Sequence, residues 1–205
     1  MSYTREQIEK AVKSKGYVWF EDKNNKGFDV NIVGIRNSNT GDEVTNKFDD
    51  KITISYKEDG EWKFHCYDCT TDPGRYWTKN IIRKEGVAMM KPGQYRRSHK
   101  IRLHAGKYPA LGQCGPVTVY RDANKDDRYD LDDNNTQTGL YGINIHRATG
   151  RKGKTSTQVD KWSAGCQVIA NNDDWHEFLD ICYEAKAIWG NKFTYTLIES
   201  KDIES

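Results

Sequence analysis

Apolar and polar residues alternate in short runs along most of the chain, which is the pattern of half-buried β-strands. Asn, Asp and Gly, residues that favour turns, separate the runs. The predicted strands cover residues 17–20, 28–35, 51–56, 62–67, 95–103, 117–120, 142–146, 167–169 and 193–198. Asp59 and Gly60 lie between two of these strands, so a tight hairpin turn is expected there.

Two segments instead show the 3.6-residue period of a helix. Near the N-terminus, Thr4 can cap a helix over residues 5–13. Before the last strand, a longer helix is predicted with its cap within residues 172–174 and its end at Trp189, where Gly190 can close it. Many short strands with few helices predict a mainly β (α+β) fold with a short N-terminal helix and one C-terminal helix.

Composition excludes several classes of function. The 205 residues carry 32 basic and 30 acidic side chains, so the net charge of +2 gives no reason to expect nucleic acid as a partner. No apolar run approaches the length of a membrane span. The five cysteines are odd in number and irregularly spaced, which favours reduced thiols over a disulfide framework.

A candidate nucleophile lies near the C-terminal end of the chain. Cys166 follows Gly165, a residue that permits a tight turn whose amide groups can point at a developing oxyanion. His146 ends an apolar run upstream and can take the thiol proton to form the reactive thiolate. A lone cysteine is more often an inert core residue. The functional prediction therefore depends on whether Cys166 and His146 meet.

The stretch from His146 to Cys166 resembles the catalytic domain of the L,D-transpeptidase family (YkuD type), which carries a histidine, a variable gap and then Ser/Thr-His-Gly-Cys. Residues 91–95, Lys-Pro-Gly-Gln-Tyr, are similar to the family's Thr-Pro-x-Gly-x-aromatic turn. The chain departs from the family at Ala164, where a second histidine is usual, and at Gln167, where an apolar residue is common. The departure at Gln167 is expected to change contacts to the acyl acceptor. The resemblance implies a YkuD-like β-sandwich at residues 51–205. Residues 1–50 then form either a small appendage or part of the same domain.

The resemblance also implies roles for the motif residues. Cys166 is the nucleophile, and His146 is the base that activates it and later the acid for the leaving amine. The amides of Gly165 and Cys166 hold the oxyanion, and Ser163 orients the loop. A thioester on Cys166 passes a peptidoglycan stem peptide to an amine or to water, and no cofactor is required. The group that fixes the His146 tautomer is left open between Asn144 and a backbone carbonyl.

Four further side chains are predicted to line the substrate groove: Arg147, Trp162, Tyr95 and His104. Arg147 begins a basic, Gly-rich stretch, residues 147–157, which is either a solvated connection or a mobile flap over the anionic stem peptide. Trp162 lies four residues before Cys166. His104 follows the strand that starts near Tyr95, and residues 104–108 are expected near the groove for that reason. The stretch from Gly150 lacks the glycine spacing of a phosphate-binding Walker loop.

An acidic stretch after the strand at residues 117–120 has the spacing of a calcium loop. The candidate oxygen ligands are Asp122, Asn124, Asp126, Arg128 through its carbonyl, Asp130 and Asp133. Asp127 replaces the glycine usual at position 6, and position 12 is Asp rather than Glu. The alternative is a solvated acidic loop, and a bound calcium ion would have a structural role.

Cys66 and Cys69 form a CxxC motif within a predicted strand. Zinc needs two more ligands, and no spacing in the chain fits a standard zinc module. A redox CxxC normally opens a helix, whereas residues 70–74 indicate a turn. Buried strand thiols are therefore expected.

The leading hypothesis is a cysteine enzyme that acts on peptidoglycan, as a transferase or a hydrolase. A non-catalytic peptidoglycan-binding module is the alternative, and Ala164 is its main support. A papain-like peptidase fits less well, because such nucleophiles usually start a helix. No secretory signal is visible. The expected site of action is the periplasm or cell wall. The route is left open between phage delivery, a secretion system and ordinary export of a form whose signal has been removed, and the sequence does not indicate an oligomeric state.

Overall fold

The structure, a computed structural model, describes residues 3–204 of the chain. This part contains eleven strands and four α-helices, so the mainly β (α+β) class is confirmed. The strands are β1 (Asn31–Arg36), β2 (Asp50–Glu58), β3 (Glu61–Thr70), β4 (Val87–Met90), β5 (Gly93–His104), β6 (Tyr108–Gln113), β7 (Val117–Asp122), β8 (Thr136–Gly139), β9 (Ile145–Arg147), β10 (Gln167–Ile169) and β11 (Phe193–Glu199). The helices are α1 (Arg5–Ser14), α2 (Arg75–Lys79), α3 (Asn172–Trp189) and α4 (Lys201–Glu204).

Eight strands close into a barrel in the order β1-β11-β5-β6-β9-β10-β3-β2. The pairs β1–β11 and β9–β10 are parallel, and the other neighbouring pairs in the barrel are antiparallel. The main sheet thus closes on itself, where the sequence led us to expect a two-sheet sandwich. Closure removes the unpaired edges that an open sheet would present to other chains.

Both faces of β1 are buried, which places the N-terminal segment in the same body as the rest. Ile32 belongs to the main core cluster, with barrel residues and the apolar face of α3. Val33 and Ile35 point to the opposite face, where they pack against Ile8 and Val12 of α1. Residues 31–36 also lie between β2 and β11 in the barrel, so the barrel is incomplete without them.

The helix ends follow the local sequence. Thr4 caps α1 as predicted, and its hydroxyl and the Gln7 side chain form a reciprocal capping box. The cap of α3 is Asn171, one residue before the predicted candidates, because its side chain accepts the amides of Asp173 and Asp174. None of the helices within residues 3–204 combines the length and apolar character needed to cross a membrane.

A second sheet of three strands, in the order β4-β7-β8, accompanies the barrel. The sequence patterns predicted neither β4 nor β8, and they also missed β6, α2 and α4. Conversely, the predicted strand at residues 17–20 does not form. Its backbone is held by side-chain amides instead, since Val18 and Phe20 donate their N–H groups to Gln94 and Asn31.

Candidate active site

Gly165 gives the nucleophile loop a conformation that other residues rarely adopt. Its φ is +129°, and a Cβ at this position would lie 2.1 Å from the carbonyl oxygen of Ala88 on β4. The loop is therefore pressed against the small sheet just before Cys166. A glycine is required here by both the backbone conformation and the available space.

The buried side chain of Ser163 stabilises the same loop. Its buried hydroxyl donates to the Cys166 carbonyl at 2.8 Å and accepts the Gly165 amide at 3.0 Å. Ser163 thus orients the loop through two hydrogen bonds. The Gly165 amide, which the resemblance assigned to the oxyanion, is already engaged with Ser163. That assignment is corrected, and the Cys166 amide is the remaining donor of the pair.

The Cys166 thiol is partly exposed at the start of β10. Its sulfur accepts a hydrogen bond from the backbone amide of Asn144 at 3.4 Å, and it lies 3.5 Å from the Gly142 carbonyl oxygen. Burial raises the pKa of the thiol to about 11, against a smaller lowering by the Asn144 amide. The resting sulfur is therefore a protonated thiol at neutral pH, and within residues 3–204 its hydrogen bonds do not include His146.

His146 on β9 is buried, with its ring held in one tautomer. Its Nδ1 lies 2.7 Å from the Arg147 carbonyl oxygen, which can only accept, so Nδ1 carries the proton and Nε2 has the free lone pair. A backbone carbonyl rather than Asn144 thus fixes the tautomer. Burial first, and then the neighbouring His104, lower the pKa of His146 to about 4. The imidazole is neutral at neutral pH and available as a base.

The parallel pairing of β9 and β10 brings the two segments that carry these residues side by side. Val168 is opposite His146 and Gln167 is opposite Ile145, and Cys166 directly precedes Gln167, with its sulfur hydrogen-bonded to the backbone amide of Asn144. The Tyr108 hydroxyl is 3.2 Å from His146 Nδ1. Burial is the main cause of the raised pKa of Tyr108, and the Cys166 charge adds a smaller effect in the same direction. Among the described residues, no hydrogen bond joins Cys166 to His146 directly.

His104 stacks directly on His146, with ring centroids 4.2 Å apart and an interplanar angle of 25°. The side-chain oxygen of Asn144 accepts a hydrogen bond from the backbone amide of Gln113 at 2.9 Å. The side-chain nitrogen of Asn144 lies 3.0 Å from His104 Nδ1. The Asn144 nitrogen is therefore the donor to His104. Burial is the main cause of the lowered pKa of His104. Two neutral imidazoles consequently form the wall beside Cys166.

Arg147 joins the same cluster, since its guanidinium lies 4.2 Å from the centre of the Tyr108 ring. The β5–β6 hairpin places Tyr108 opposite His104. From the sequence we expected residues 104–108 near the groove but gave Tyr108 no role of its own; the short turn between these two residues was the signal that could have paired it with His104. Tyr108 positions His146 by contact with both Nδ1 and, at 3.4 Å, the Arg147 carbonyl.

The other two predicted groove residues have different surroundings. The Tyr95 hydroxyl donates to the carbonyls of Lys91 and Thr118, at 2.5 and 3.2 Å, and burial raises its pKa to about 12. Tyr95 therefore joins the barrel to the small sheet. Trp162 is 44% exposed on the segment before Ser163, and its backbone amide closes a turn on Val159.

Gln167 is completely buried and faces away from the nucleophile. Its side-chain nitrogen donates to the carbonyls of Gly165 and Thr71, and its oxygen accepts the Tyr195 hydroxyl at 2.7 Å. The departure from the family pattern at this position thus serves the interior of the barrel. We had associated it with contacts to the acyl acceptor, and the hydrogen bonds correct that interpretation.

A cavity of about 310 Å³ opens beside Ala164 and was missed by sequence reasoning. Its lining includes Ala164, Ala88, Trp77, Tyr141, Arg83 and Arg121. Arg121 is fixed there, because it donates to Gln137 and to the Gly86 carbonyl and lies over the Tyr141 ring. The methyl group at position 164 leaves open space that a longer side chain would fill.

The basic stretch at residues 147–157 is attached to the start of α3. Thr155 pairs with Asn171, the Asn172 amide donates to the Lys154 carbonyl, and the Gly153 amide donates to Asp173. These bonds hold the stretch along the helix N-terminus. A loop bound at this many points does not match the freely hinged flap that its composition suggested.

The acidic stretch forms the connection between β7 and β8. Asn124 contacts Asp130, whereas Asp133 is paired with Lys91 at 2.8 Å. Within residues 3–204, no three His, Cys, Asp or Glu side chains form a group that could hold a metal. The CxxC thiols differ from expectation on one point, since Cys69 is buried but Cys66 is exposed.

Comparison with known proteins adds no relative. No family model matches the chain, and no curated protein or solved structure matches it significantly.

Proposed function

We propose that the protein is a cysteine-dependent acyl transferase or hydrolase of peptidoglycan stem peptides, with Cys166 as the nucleophile. The main support is the His146 ring, whose Nδ1 is fixed by the Arg147 carbonyl so that Nε2 is the basic atom, on a strand that pairs in parallel with the strand directly after Cys166. The finer fold assignment, a YkuD-like catalytic domain, belongs to the same proposal and draws on the resemblance between residues 146 and 166.

The reaction begins from a neutral thiol and a neutral imidazole. As Sγ of Cys166 attacks the peptide carbonyl, Nε2 of His146 takes the thiol proton, and the carbonyl electrons move onto oxygen. The Cys166 amide donates to that oxyanion. Collapse expels the amine, which takes its proton from His146, and leaves a thioester. An acceptor amine or water then attacks the thioester carbonyl, gives its proton to His146 and displaces the Cys166 thiolate, which takes that proton back. The amine gives an L,D-crosslink, and water gives hydrolysis.

The cavity beside Ala164 fits a peptide substrate that carries carboxylates. Arg121 is immobilised in its wall, and Arg83 supplies a second cation. Arginine binds carboxylates in a planar, bidentate manner, and a stem peptide of peptidoglycan carries free carboxylates. The aromatic rings of Trp77 and Tyr141 offer apolar contact for the peptide backbone.

Purified peptidoglycan provides the direct test. Incubation with the protein should change the mass spectrum of the muropeptides, and Cys166→Ala should abolish that change. Cys66→Ala is the matched control, because it removes an exposed thiol from β3. Muropeptides that remain unchanged with folded native protein, or that change equally with Cys166→Ala, would exclude the enzyme. A carbapenem adduct on Cys166 is an independent readout of acylation.

A non-catalytic peptidoglycan-binding module is the second candidate. The observations in its favour are the protonated thiol and the missing hydrogen bond between Cys166 and His146. The native chain and the Cys166→Ala variant would then sediment equally well with insoluble peptidoglycan, and both would leave the muropeptides intact. Loss of sedimentation in Arg121→Ala would then locate the binding surface at the cavity.

A further inference from the structure

Asp122, the last residue of β7, is a buried carboxylate without a partner. The residue is 3% exposed, and within residues 3–204 neither carboxylate oxygen has a hydrogen-bond partner of normal geometry; the Asn124 backbone amide acts on the carboxylate without forming such a bond. An unpaired buried charge is costly, and proteins offset that cost with a counter-charge or a metal ion. Lys79 acts on Asp122, but its ammonium group is bonded to the Lys125 carbonyl and to Asp127.

Further oxygen-bearing side chains follow Asp122 at alternate positions of the β7–β8 connection. The Asn124 oxygen accepts the Asp126 amide at 3.1 Å, and its side-chain nitrogen lies 3.0 Å from Asp130. The contact between Asn124 and Asp130 turns the connection back on itself, directly after a carboxylate that is already buried.

We propose that this connection binds a calcium ion, with Asp122 as its central ligand. Asn124, Asp126, Asp130 and the Arg128 carbonyl supply the other oxygens, at positions 3, 5, 9 and 7 relative to Asp122. Calcium accepts about six to eight oxygen ligands in flexible geometry, and loops with this spacing wrap around it. Magnesium demands a tighter octahedron and keeps more of its water, so it fits this set less well.

The ion completes a site that the protein assembles only in part. Within the described residues no three carboxylates converge, and Asp133 is already held by Lys91 and by the Tyr120 hydroxyl at 3.2 Å, so it is outside the proposed set. Asp126 uses one carboxylate oxygen for the Arg128 amide and retains the other. Metal binding and loop ordering are then one coupled event.

The proposed site is connected to the cavity beside Ala164. The Asp122 backbone pairs with Val87 of β4, and its carbonyl packs so closely on Gly86 that a Cβ there would lie 1.7 Å away. Arg121, the neighbour of Asp122, donates to the Gly86 carbonyl and lines the cavity. An ion at Asp122 would therefore fix one end of the cavity wall.

Calorimetric titration of calcium chloride into the full chain, after removal of metal with EDTA, tests the proposal. We expect a Kd of about 10⁻⁴ to 10⁻³ M. At about 10 mM calcium the Tm should rise by about 3–10 °C. Asp122→Asn should lose both responses and raise the Tm in EDTA, because a neutral amide costs less to bury. Asp130→Asn should bind at least about tenfold more weakly.

Asp132→Asn is the matched control, since that carboxylate bonds to Asn134 rather than facing Asp122, and it should bind calcium like the native chain. The proposal is overturned if the folded native chain shows neither heat nor a Tm shift, or if Asp122→Asn and Asp130→Asn bind as tightly as the native chain. An equal affinity for magnesium chloride would overturn the assignment to calcium. These readouts are independent of peptidoglycan activity.

Discussion

The rings of His104 and His146 stack face to face, 4.2 Å apart, with the proton of each imidazole directed by a different neighbour. Asn144 donates to Nδ1 of His104, whereas Nδ1 of His146 donates to the Arg147 carbonyl. A stacked neighbour that can itself become charged disfavours protonation of His146. Burial is the main cause of the lowered pKa of His146, and His104 is a positioning residue that adds to it in keeping the proposed base neutral.

Replacement of His104 should be visible in the titration of His146. In His104→Gln the new side-chain oxygen can still accept a hydrogen bond from Asn144, but the side chain can no longer become positively charged. The pKa of His146 should therefore rise from about 4. NMR titration of the His146 ring measures the change, and the acid limb of kcat/KM should move to higher pH with it. His65→Gln, on β3, is the control. An unmoved titration would show that His104 has no electrostatic role.

Alkylation of Cys166 should be slow at neutral pH. With a thiol pKa of about 11, the reactive thiolate is about 10⁻⁴ of the total at pH 7, and it grows tenfold per pH unit. Mass spectrometry after iodoacetamide treatment should show this slope, without a plateau below pH 10. A plateau near neutrality would instead reveal a preformed thiolate–imidazolium pair.

Gly165→Ala should damage both the stability and the nucleophile. The substitution combines a φ of +129° with a 2.1 Å approach to the Ala88 carbonyl, so we expect a loss of about 2–4 kcal/mol in the free energy of unfolding. Gly153→Ala is the control: its φ is also positive, at +68°, but nothing lies within 4 Å, and about 1 kcal/mol is expected. Urea denaturation compares the two, and equal losses would refute the steric argument.

The buried pair of Gln167 and Tyr195 should show strong coupling. Tyr195→Phe leaves the Gln167 oxygen without its donor, which should cost about 1–3 kcal/mol. Adding Gln167→Met removes the side-chain amide that Tyr195→Phe leaves without its donor. The double variant should therefore lose less unfolding free energy than the sum of the two single losses. Tyr183→Phe, on the exposed side of α3, is the control. Additive losses in the cycle would contradict the coupling.

Elements that depend on local chemistry could be predicted from the sequence. The Thr4 cap, the Asp59–Gly60 turn with both φ values positive, and the end of α3 at Gly190 follow from propensities of single residues. Barrel closure could not be predicted, because it depends on pairing between strands far apart in the chain, such as β1 with β11. The strand missed at β4 is four residues long and buried throughout, so it has no alternation to detect.

The candidate site was predictable to a similar extent. The Ser163–Cys166 turn and His146 were found through their residue types. The contact of Tyr108 with His146 and the stacking of His104 on His146 depend on the pairing of β6 with β9, residues far apart in the chain, which no local pattern encodes. The role of Gln167 was misread for the same reason, since alternation alone did not reveal which face of β10 points into the barrel.

The barrel wall has its fewest backbone connections where it carries the site. β9 is three residues long and meets β6 at one registered pair, Leu111 with Ile145, whereas β2 and β3 are joined by nine. Local opening starts where the fewest bonds must break. Tyr108 stands on the β6 side of this joint and His146 on the β9 side, and their 3.2 Å contact crosses it. The contact between the proposed base and Tyr108, which positions it, therefore also joins β6 to β9, the pair of barrel strands with the fewest registered residues.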